Sequence, residues 1–250
     1  MPRFFLSASN IADGYVTVCG DDAIHISRSL RMRAGEHITV CDMQKNEYDC
    51  ELTDFTSESV TARIVSSRKC DTEPPYTVRL FQALPKSDKL DVIIQKSVET
   101  GAHEIIPFES ERCVARRDDD SRKEQKKLER RSRIALEAAK QCGRGTVPTV
   151  MLPISFREML SQAAESELVL FFYEGDDTVP LRSLLSDRYK EGKIPESISV
   201  IIGSEGGFSL KEVEAARAAG FDICGLGRRI LRCETAPSFV LACLTYNFEL

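Results

Sequence analysis

The chain has 250 residues, of which 42% are hydrophobic, and its 34 Lys and Arg against 39 Asp and Glu give a formal net charge of -5. These values are typical of a globular protein with two modest domains or one large one, and the acidic balance argues against a protein that simply coats nucleic acid. No apolar run approaches the roughly 20 residues of a membrane-spanning helix, and the start has too short an apolar stretch for a secretory signal. We therefore expect a cytoplasmic protein without membrane contact.

The first seventy residues favour β-structure. Short apolar or alternating segments rich in Val, Ile, Thr and Tyr follow one another, namely RFFL, HITVCDM, EYDCEL and SVTARIVSS. One helix is predicted over DDAIHISRSLRM, ending before Gly35. The pattern indicates a small barrel or half-barrel, which the proline-containing segment CDTEPPY separates from the rest of the chain.

Beyond Tyr76, apolar strands alternate with amphipathic helices as far as the final segment APSFVLACLTYNFEL. This alternation predicts a mostly parallel sheet covered by helices on both faces. Ligands bind such sheets at the carboxyl ends of the strands. Three strand ends, in FFYEGDD, IIGSEGGFS and GLGRRILR, are therefore predicted to share one pocket.

The segment GSEGGFS joins a strand to a helix that Ser209 is placed to cap, with Glu212 at the capping-box position. Its glycines permit positive φ and the close approach of a ligand, and the helix N-terminus offers N–H groups. The segment matches neither G-x-G-x-x-G nor a P-loop, which disfavours NAD and ATP chemistry. Taken alone, it indicates either a tight turn or a ligand site.

Three arginines follow the strand end in GLGRRILRCETAP, and Glu234 lies two residues beyond the last of them. Such cations need anionic or oxygen-rich partners. A nucleic acid, a carboxylate ligand or Glu234 itself would each serve. The cluster therefore indicates either an internal ion pair or a ligand contact.

The segment 111–133 carries ten Lys or Arg against six Asp or Glu, so an acidic chain contains a basic stretch. Taken alone, this stretch favours a solvated helix face with i,i+4 ion pairs over a contact with phosphates. The nine cysteines form no C-x-x-C pair and there are only three histidines. We therefore expect free thiols and no metal.

The pair IGSEGGFS and LGRRILRCETA resembles the signature motifs of the 16S ribosomal RNA (uracil-N3) methyltransferases of the RsmE type, members of the SPOUT class of knotted methyltransferases. Other segments resemble the same family in the same order, namely HISRSLRMRAGE, LPKSDKLDVIIQKSVETGAHEIIPF and RIALEAAKQCGR. The resemblance therefore spans nearly the whole chain.

The resemblance implies an α/β fold class with two domains. A PUA-like β-barrel RNA-binding domain would cover residues 1–72, and a SPOUT-type α/β methyltransferase domain with a C-terminal trefoil knot would cover residues 73–250. It also implies a homodimer that binds S-adenosyl-L-methionine in the knot loops and methylates N3 of a specific uridine in 16S ribosomal RNA of the small ribosomal subunit. Periodicity alone does not predict a knot, because threaded chains are rare.

Carried onto this chain, the resemblance assigns the cofactor pocket to the three strand ends. The cofactor-binding residues would be Phe172, Tyr173, Glu174, Gly203, Glu205, Gly206, Gly207, Leu226, Gly227, Ile230 and Leu231. For catalysis, we expect Arg232 or Arg229 to stabilise negative charge on the uracil, since a charged arginine cannot act as a base. Glu205 is the candidate for positioning or for accepting the proton.

N3 lies on the Watson–Crick edge, so the target base must be unpaired or drawn out while the protein holds the surrounding RNA. His25, Arg28 and Arg31, at i, i+3 and i+6, fall on one side of the predicted helix. A solvated helix surface is the alternative to RNA contact. The RNA-binding candidates are Arg3, His25, Arg28, Arg31, Arg33, Arg112, Arg131 and Arg133.

A different class of function remains open, namely a non-catalytic RNA-binding or ribosome-assembly factor with a small-ligand pocket. An enzyme acting on a phosphorylated metabolite would use the same glycine turn, but it leaves the β-rich N-terminal domain unexplained. The presence of both GSEGGF and LGRRILR favours the methyltransferase, because a pure binder needs a basic surface but no glycine-lined pocket.

Overall fold

The computed structural model describes residues 1–189 and 192–250 and groups them into two compact units. The first unit comprises residues 1–73 and 139–147, and the second comprises residues 74–138 and 148–250. The stretch 139–147 thus groups with the first unit, although it lies inside the second predicted domain. The domain boundary at residues 72 and 73 stays a prediction.

The first unit is built on a six-stranded half-barrel sheet. Its strands are β1 (Arg3–Phe5), β2 (Ile11–Ala12), β3 (Tyr15–Cys19), β4 (His37–Cys41), β5 (Asn46–Phe55) and β6 (Ser59–Lys69). They lie in the order β1-β4-β5-β6-β3-β2, with β1 parallel to β4 and the other pairs antiparallel. The alternating segments therefore predicted the strands correctly, apart from β2 and β3, and side chains such as Phe4, Val18 and Ile38 form a buried core.

The predicted helix over DDAIHISRSLRM is shorter than expected. Helix α1 (Gly20–Ile24) continues into a π-helical turn, His25–Ser29, and Arg31 lies beyond it with a positive φ of 53°. A wider turn and a left-handed residue both break the 3.6-residue spacing on which the shared face depends. The prediction that His25, Arg28 and Arg31 share one side of a helix is therefore wrong.

A buried ion pair ties the stretch 139–147 to the end of β6 within the first unit. The side chains of Arg144 and Glu73 are 3% and 2% exposed, and Nη2 of Arg144 lies 2.6 Å from Oε2 of Glu73. The backbone N–H groups of Gly145 and Thr146 donate to Oε1 of the same carboxylate. Glu73 is therefore held by a cation and two amides.

We expect Arg144→Met to lower the free energy of unfolding by about 3–5 kcal/mol, because it removes the guanidinium from a buried carboxylate. Urea unfolding followed by circular dichroism measures the loss. Arg63→Met is the matched control, since its ion pair with Glu51 is 52% and 32% exposed and is expected to contribute about 1 kcal/mol or less. Equal losses in the two variants would contradict the role given to Arg144.

The second unit is built on a parallel sheet, which confirms the prediction from the strand and helix alternation. In the described residues its strands are β7 (Thr77–Ala83), β8 (Glu104–Glu109), β9 (Thr149–Val150), β10 (Ile154–Ser155), β11 (Leu168–Phe172), β12 (Val179–Pro180), β13 (Ser197–Ile202) and β14 (Asp222–Gly225). They lie in the order β10-β8-β7-β13-β11-β14-β12, and β9 pairs with β8. Among the described residues, the neighbouring strands of this sheet pair in parallel.

The helices of the second unit follow the predicted alternation with the strands. They are α2 (Lys89–Glu99), α3 (Ser121–Cys142), α4 (Phe156–Ala163), α5 (Leu181–Arg188), α6 (Leu210–Ala218) and α7 (Ala236–Phe248). The basic segment and RIALEAAKQCGR form one continuous helix, α3, of 22 residues. Helix α6 begins with the predicted capping box, in which Ser209 and Glu212 each accept a hydrogen bond from the other's backbone N–H.

An aromatic cluster fixes the glycine turn to the sheet. Phe208, which follows the turn, is 1% exposed. Its ring centroid lies 4.2 Å from that of Phe171 and 6.3 Å from that of Phe108. Burial of one such side chain contributes about 1.5–3 kcal/mol, so the turn is anchored where β13 ends.

The nine cysteines are free thiols. Among residues 1–189 and 192–250, no group of three or more His, Cys, Asp or Glu side chains is arranged to hold a metal ion. Within the same residues, no helix has both the length and the apolar character needed to cross a membrane.

Candidate active site

Three neighbouring strands end at one cavity. Strand β11 pairs with β13 on one side and β14 on the other, so their carboxyl ends lie together. The loops that follow enclose about 460 Å³, which we call the glycine-loop cavity. Its predicted residues are Phe172, Tyr173, Glu174, Gly203, Gly207, Leu226, Gly227, Arg229, Ile230 and Leu231. The volume lies within the range of small-ligand sites, about 300–1,000 Å³.

Two of the cavity walls meet at Gly207. This residue has a positive φ of 63°, and a Cβ added to it would collide with Oε1 of Glu174. A larger residue would therefore be strained and would displace the carboxylate from the wall. The backbone conformation therefore favours glycine at this position, and any side chain there would require the Glu174 carboxylate to move.

The glycine turn also contacts the loop after β8. Nη1 of Arg112 donates to the carbonyl of Gly206 at 3.2 Å, and a Cβ on Gly206 would lie 2.9 Å from Cβ of Arg112. Gly206 itself does not line the glycine-loop cavity. The structure therefore brings Arg112, predicted as an RNA contact, next to the outer side of the glycine turn.

One buried hydroxyl beside the cavity has no hydrogen-bond partner among the described residues. Ser204 lines the cavity and is 7% exposed, and its Oγ makes no hydrogen bond to any residue that the structure describes. A buried polar atom of this kind costs free energy unless it is hydrogen-bonded. A ligand that presents a polar group beside the glycine turn would satisfy it.

Lys89 links the two motifs of the site. Its Nζ lies 2.9 Å from Oε1 of Glu205 and 3.3 Å from Oε2 of Glu234. The hydrogen bond to Glu205 raises the pKa of Lys89. Burial opposes ionisation of Glu205, but the bonds from Lys89 and from the backbone N–H of Lys86 outweigh it and lower the pKa of that carboxyl. Glu205, which lies outside the cavity lining, is therefore held as a carboxylate.

The same arrangement decides between the two explanations of the arginine cluster. Arg228, Arg229 and Arg232 are exposed, and none makes an ion pair within the described residues. Glu234 instead contacts Lys89 and accepts a hydrogen bond from Sγ of Cys233. The predicted alternative of an internal ion pair with Glu234 is therefore wrong. The three guanidinium groups are exposed to solvent near the cavity.

The arginines differ in their relation to the cavity. Arg228 and Arg229 line it, whereas Arg232 does not. The carbonyl of Arg232 accepts the N–H groups of Thr235 and Ala236, where α7 begins. Burial raises the pKa of the neighbouring Cys233 to about 12, so its thiol stays protonated at neutral pH.

One of the RNA-binding candidates, Arg3, has partners inside the protein. Arg3 donates to Oε2 of Glu47 at 2.7 Å and to Sγ of Cys41 at 2.8 Å, and its side chain is only 13% exposed. The Glu47 carboxylate is itself only 10% exposed, and it forms ion pairs with both Arg3 and Arg68. The charge of Arg3 is therefore already paired within the half-barrel, which argues against its predicted contact with RNA.

The other RNA candidates lie in both units. His25, Arg28, Arg31 and Arg33 are exposed in the first unit. In the second unit Arg112 and Arg133 are exposed, whereas Arg131 is half-buried. These positions leave their role in RNA binding a prediction.

Sequence reasoning missed several residues that shape the site. Lys89 lies in the segment LPKSDKLD, which resembles the family, but the sequence alone indicates no role for this lysine. Gln82 interrupts an apolar strand, and its Nε2 donates to the carbonyl of Gly203 at 3.2 Å. Gln82 could have been identified from the sequence, because it is a lone polar residue in an apolar strand. Lys89 could not, because only the folded structure brings it to both carboxylates.

Comparison with protein families finds two matching models. The model of an RNA methyltransferase domain matches residues 72–245, and the model of an RNA methyltransferase PUA domain matches residues 18–65. The first match contains the parallel sheet and all three loops of the glycine-loop cavity.

Individual relatives agree with these models. Ribosomal RNA small subunit methyltransferase E of Bacillus subtilis is 36% identical over 94% of this chain and 91% of its own length. The crystal structure of a ribosomal RNA small subunit methyltransferase E from Neisseria gonorrhoeae bound to S-adenosyl methionine superposes with a TM-score of 0.82, at 32% identity and with 98% of this chain and 97% of that one covered. A putative methyltransferase from Legionella pneumophila in complex with bound cofactor SAM gives a TM-score of 0.83 at 27% identity, covering 98% and 96% of the two chains.

The half-barrel, the parallel sheet and the cavity at its strand ends are thus those of the RNA methyltransferases with a PUA domain. Within that class, the chain belongs to the family of ribosomal RNA small subunit methyltransferase E.

Proposed function

We propose that the chain is an S-adenosyl-L-methionine-dependent methyltransferase that acts on 16S ribosomal RNA of the small ribosomal subunit, at N3 of the uracil numbered U1498. The observation that carries the proposal is the glycine-loop cavity, whose walls come from the same motifs that resemble the family. The sequence identity of 36% to a relative of this name, over most of both chains, supports the same activity.

The residues of the cavity fit S-adenosylmethionine. Ser204 offers a buried hydroxyl that lacks a partner within the described residues, and Gly207 allows the Glu174 carboxylate to lie against the glycine turn. Phe172 and the apolar side chains Leu226, Ile230 and Leu231 suit the adenosine, and the carboxylate of Glu174 suits its hydroxyls or the ammonium group. When bound, the cofactor supplies the methyl group. Glu205 and Gly206 support this cavity from outside its lining.

The chain's own contribution to the reaction is electrostatic. Methylation requires N3 of uracil to release its proton, which passes to solvent; the negative charge that develops spreads to O2 and O4, and a nearby cation lowers the barrier. Arg232 or Arg229 supplies that cation, since both guanidinium groups are exposed and neither is ion-paired within the described residues. The low pKa of Glu205 favours positioning through Lys89 over acceptance of the proton.

We propose RNA contacts on each unit, through basic side chains that are exposed except for the half-buried Arg131. The proposed contacts are His25, Arg28, Arg31, Arg33, Arg112, Arg131 and Arg133. The homodimer, the trefoil knot and the cytoplasmic location belong to the same proposal, and they rest on the resemblance to the family.

The proposal is tested by binding and by methyl transfer. Isothermal titration with S-adenosylmethionine is expected to show one site per chain. Small ribosomal subunits that lack the modification are expected to take up label from the methyl-labelled cofactor, whereas large subunits are not. Binding of RNA without cofactor binding or label uptake would favour the non-catalytic factor instead.

We expect Lys89→Met to lower kcat/KM by about 10²-fold, because the two loops that Lys89 links would shift and small displacements at an active site cost this much. Lys89→Arg is expected to restore part of the activity. The control is Lys96→Met on the same helix, whose ion pair with Glu99 is remote from the cavity. Full activity of Lys89→Met in steady-state assays would show that the link between the loops is dispensable.

A further inference from the structure

A second cavity lies in the same unit and shares no lining residue with the glycine-loop cavity. It encloses about 250 Å³ between the loop after β7, the loop after β8 and the N-terminal half of α3. The side chains that matter are Arg116, Glu124, Lys127, Arg130 and Arg131. We call it the Arg131 cavity.

The lining is more basic than acidic. Among the described residues, five cationic side chains and three carboxylates surround the Arg131 cavity. Arg117, Lys127 and Arg130 each form an ion pair with a carboxylate. Arg116 instead donates to two backbone carbonyls, which do not neutralise its charge. Arg131 has no hydrogen bond or ion pair within the described part of the chain.

Arg131 is the cationic side chain of this cavity that lacks a hydrogen bond or ion pair among the described residues, and its charge is partly removed from water. Burial lowers the pKa of its guanidinium, with Glu124 opposing and Arg130 adding to the shift. A charge removed from water without a partner is unfavourable, and proteins pair such charges. An anion in the cavity would supply the missing partner of Arg131.

A second atom at the same cavity lacks a donor. Oε1 of Glu124 accepts hydrogen bonds from the backbone N–H of Asp118 and from Nζ of Lys127, but the buried Oε2 has no partner in the described residues. The suitable occupant therefore presents an anionic oxygen and a hydroxyl donor together. A ribose phosphate has both, and the 2′-hydroxyl is the group that distinguishes RNA from DNA.

The cavity lies beside the glycine turn. The loop after β7 reaches that turn, because the backbone N–H of Lys86 donates to Glu205. The loop after β8 reaches it as well, because Arg112 contacts the carbonyl of Gly206. Two of the three walls of the Arg131 cavity thus belong to loops that touch the proposed active site, at the edge where substrate RNA would approach.

We propose that the Arg131 cavity binds a backbone phosphate of the substrate RNA close to the target nucleotide, with Arg131 and Arg116 as the phosphate ligands and Oε2 of Glu124 accepting a ribose hydroxyl. The inference rests on the proposed function, because it requires an RNA substrate. It adds a site where the substrate backbone is held outside the cofactor cavity.

The test is the salt dependence of RNA binding by the full chain. A short fluorescent RNA that contains the target uridine and its flanks is titrated with wild type, Arg131→Gln and the control Arg122→Gln, an exposed arginine of the same helix. Loss of one phosphate contact is expected to weaken binding and to reduce the slope of log K against log salt by about 0.7–0.9. Arg122→Gln is expected to keep the wild-type slope.

Two further measurements separate the alternatives. The 2′-deoxy version of the oligonucleotide is expected to bind wild type more weakly than the RNA, and equal binding would overturn the role of Glu124. Melting temperatures in inorganic phosphate test for a free-anion site. Stabilisation by phosphate that Arg131→Gln lacks, with an unchanged RNA slope, would overturn the proposal in favour of that site.

A third alternative is that Arg131 only stabilises the fold by pairing with Glu124, and it predicts a different combination of melting temperature and salt slope. In that case Arg131→Gln lowers the melting temperature and leaves the RNA slope unchanged, which also overturns the proposal. Methyl transfer by wild type is measured in parallel. Absence of methyl transfer would contradict the proposed function. Normal methyl transfer by wild type, together with an unchanged salt slope of RNA binding in Arg131→Gln, would contradict only the phosphate site.

Discussion

Replacing Arg232 by Ala is expected to lower kcat for methyl transfer by about 10²–10³-fold and to leave the Kd for S-adenosylmethionine unchanged. The arginine is exposed, lies outside the lining of the glycine-loop cavity and has no ion pair within the described residues. We therefore propose that it faces the RNA base rather than the cofactor. Single-turnover kinetics and calorimetric titration measure the two quantities.

Two companion variants sharpen this experiment. Arg229→Ala removes a cation that lines the cavity, so it is expected to weaken cofactor binding as well as turnover. Arg157→Ala, an exposed arginine on α4, serves as the control and is expected to keep wild-type kinetics. Full turnover of Arg232→Ala with normal cofactor binding would refute the assignment of Arg232 to charge stabilisation.

Replacing Gly207 by Ala is expected to weaken S-adenosylmethionine binding by at least about 10²-fold, that is by about 2.7 kcal/mol. Two effects combine, since the new Cβ would collide with Oε1 of Glu174 and the positive φ of 63° disfavours any side chain. The collision displaces the Glu174 carboxylate, which forms a wall of the cavity. Isothermal titration measures the affinity.

Gly220→Ala separates the two effects. Gly220 has a positive φ of 81°, but a Cβ there would have no atom within 4 Å. Both variants are expected to lose about 1–3 kcal/mol of stability from backbone strain, and only Gly207→Ala is expected to lose the cofactor. Equal cofactor affinity in the two variants would contradict the place given to Gly207 and Glu174.

Regular patterns predicted the second unit well. Strand and helix alternation predicted the parallel sheet because apolar strands and amphipathic helices differ in the period of their hydrophobic residues. The rule that ligands bind at carboxyl ends then brought FFYEGDD, IIGSEGGFS and GLGRRILR to one cavity. The capping box of Ser209 and Glu212 was predictable because it depends only on residues three apart.

Interactions between distant residues were not predictable in this way. The link from Lys89 to Glu205 and Glu234 joins residues more than a hundred positions apart, and no local pattern encodes it. Arg3 was predicted to line the RNA-binding face of the β-barrel, and no local pattern indicates its ion pair with Glu47, 44 residues further along the chain. Arg31 was misplaced because the helical period was extended across a π-helical turn.

The most direct test of the central claim is the identity of the product. Small ribosomal subunits lacking the modification are incubated with the chain and S-adenosylmethionine, and their RNA is digested to nucleosides for mass spectrometry. The account predicts 3-methyluridine that appears only when both the chain and the cofactor are present. Methylation at another atom or base, or no methylated nucleoside from a chain that binds the cofactor, would contradict it.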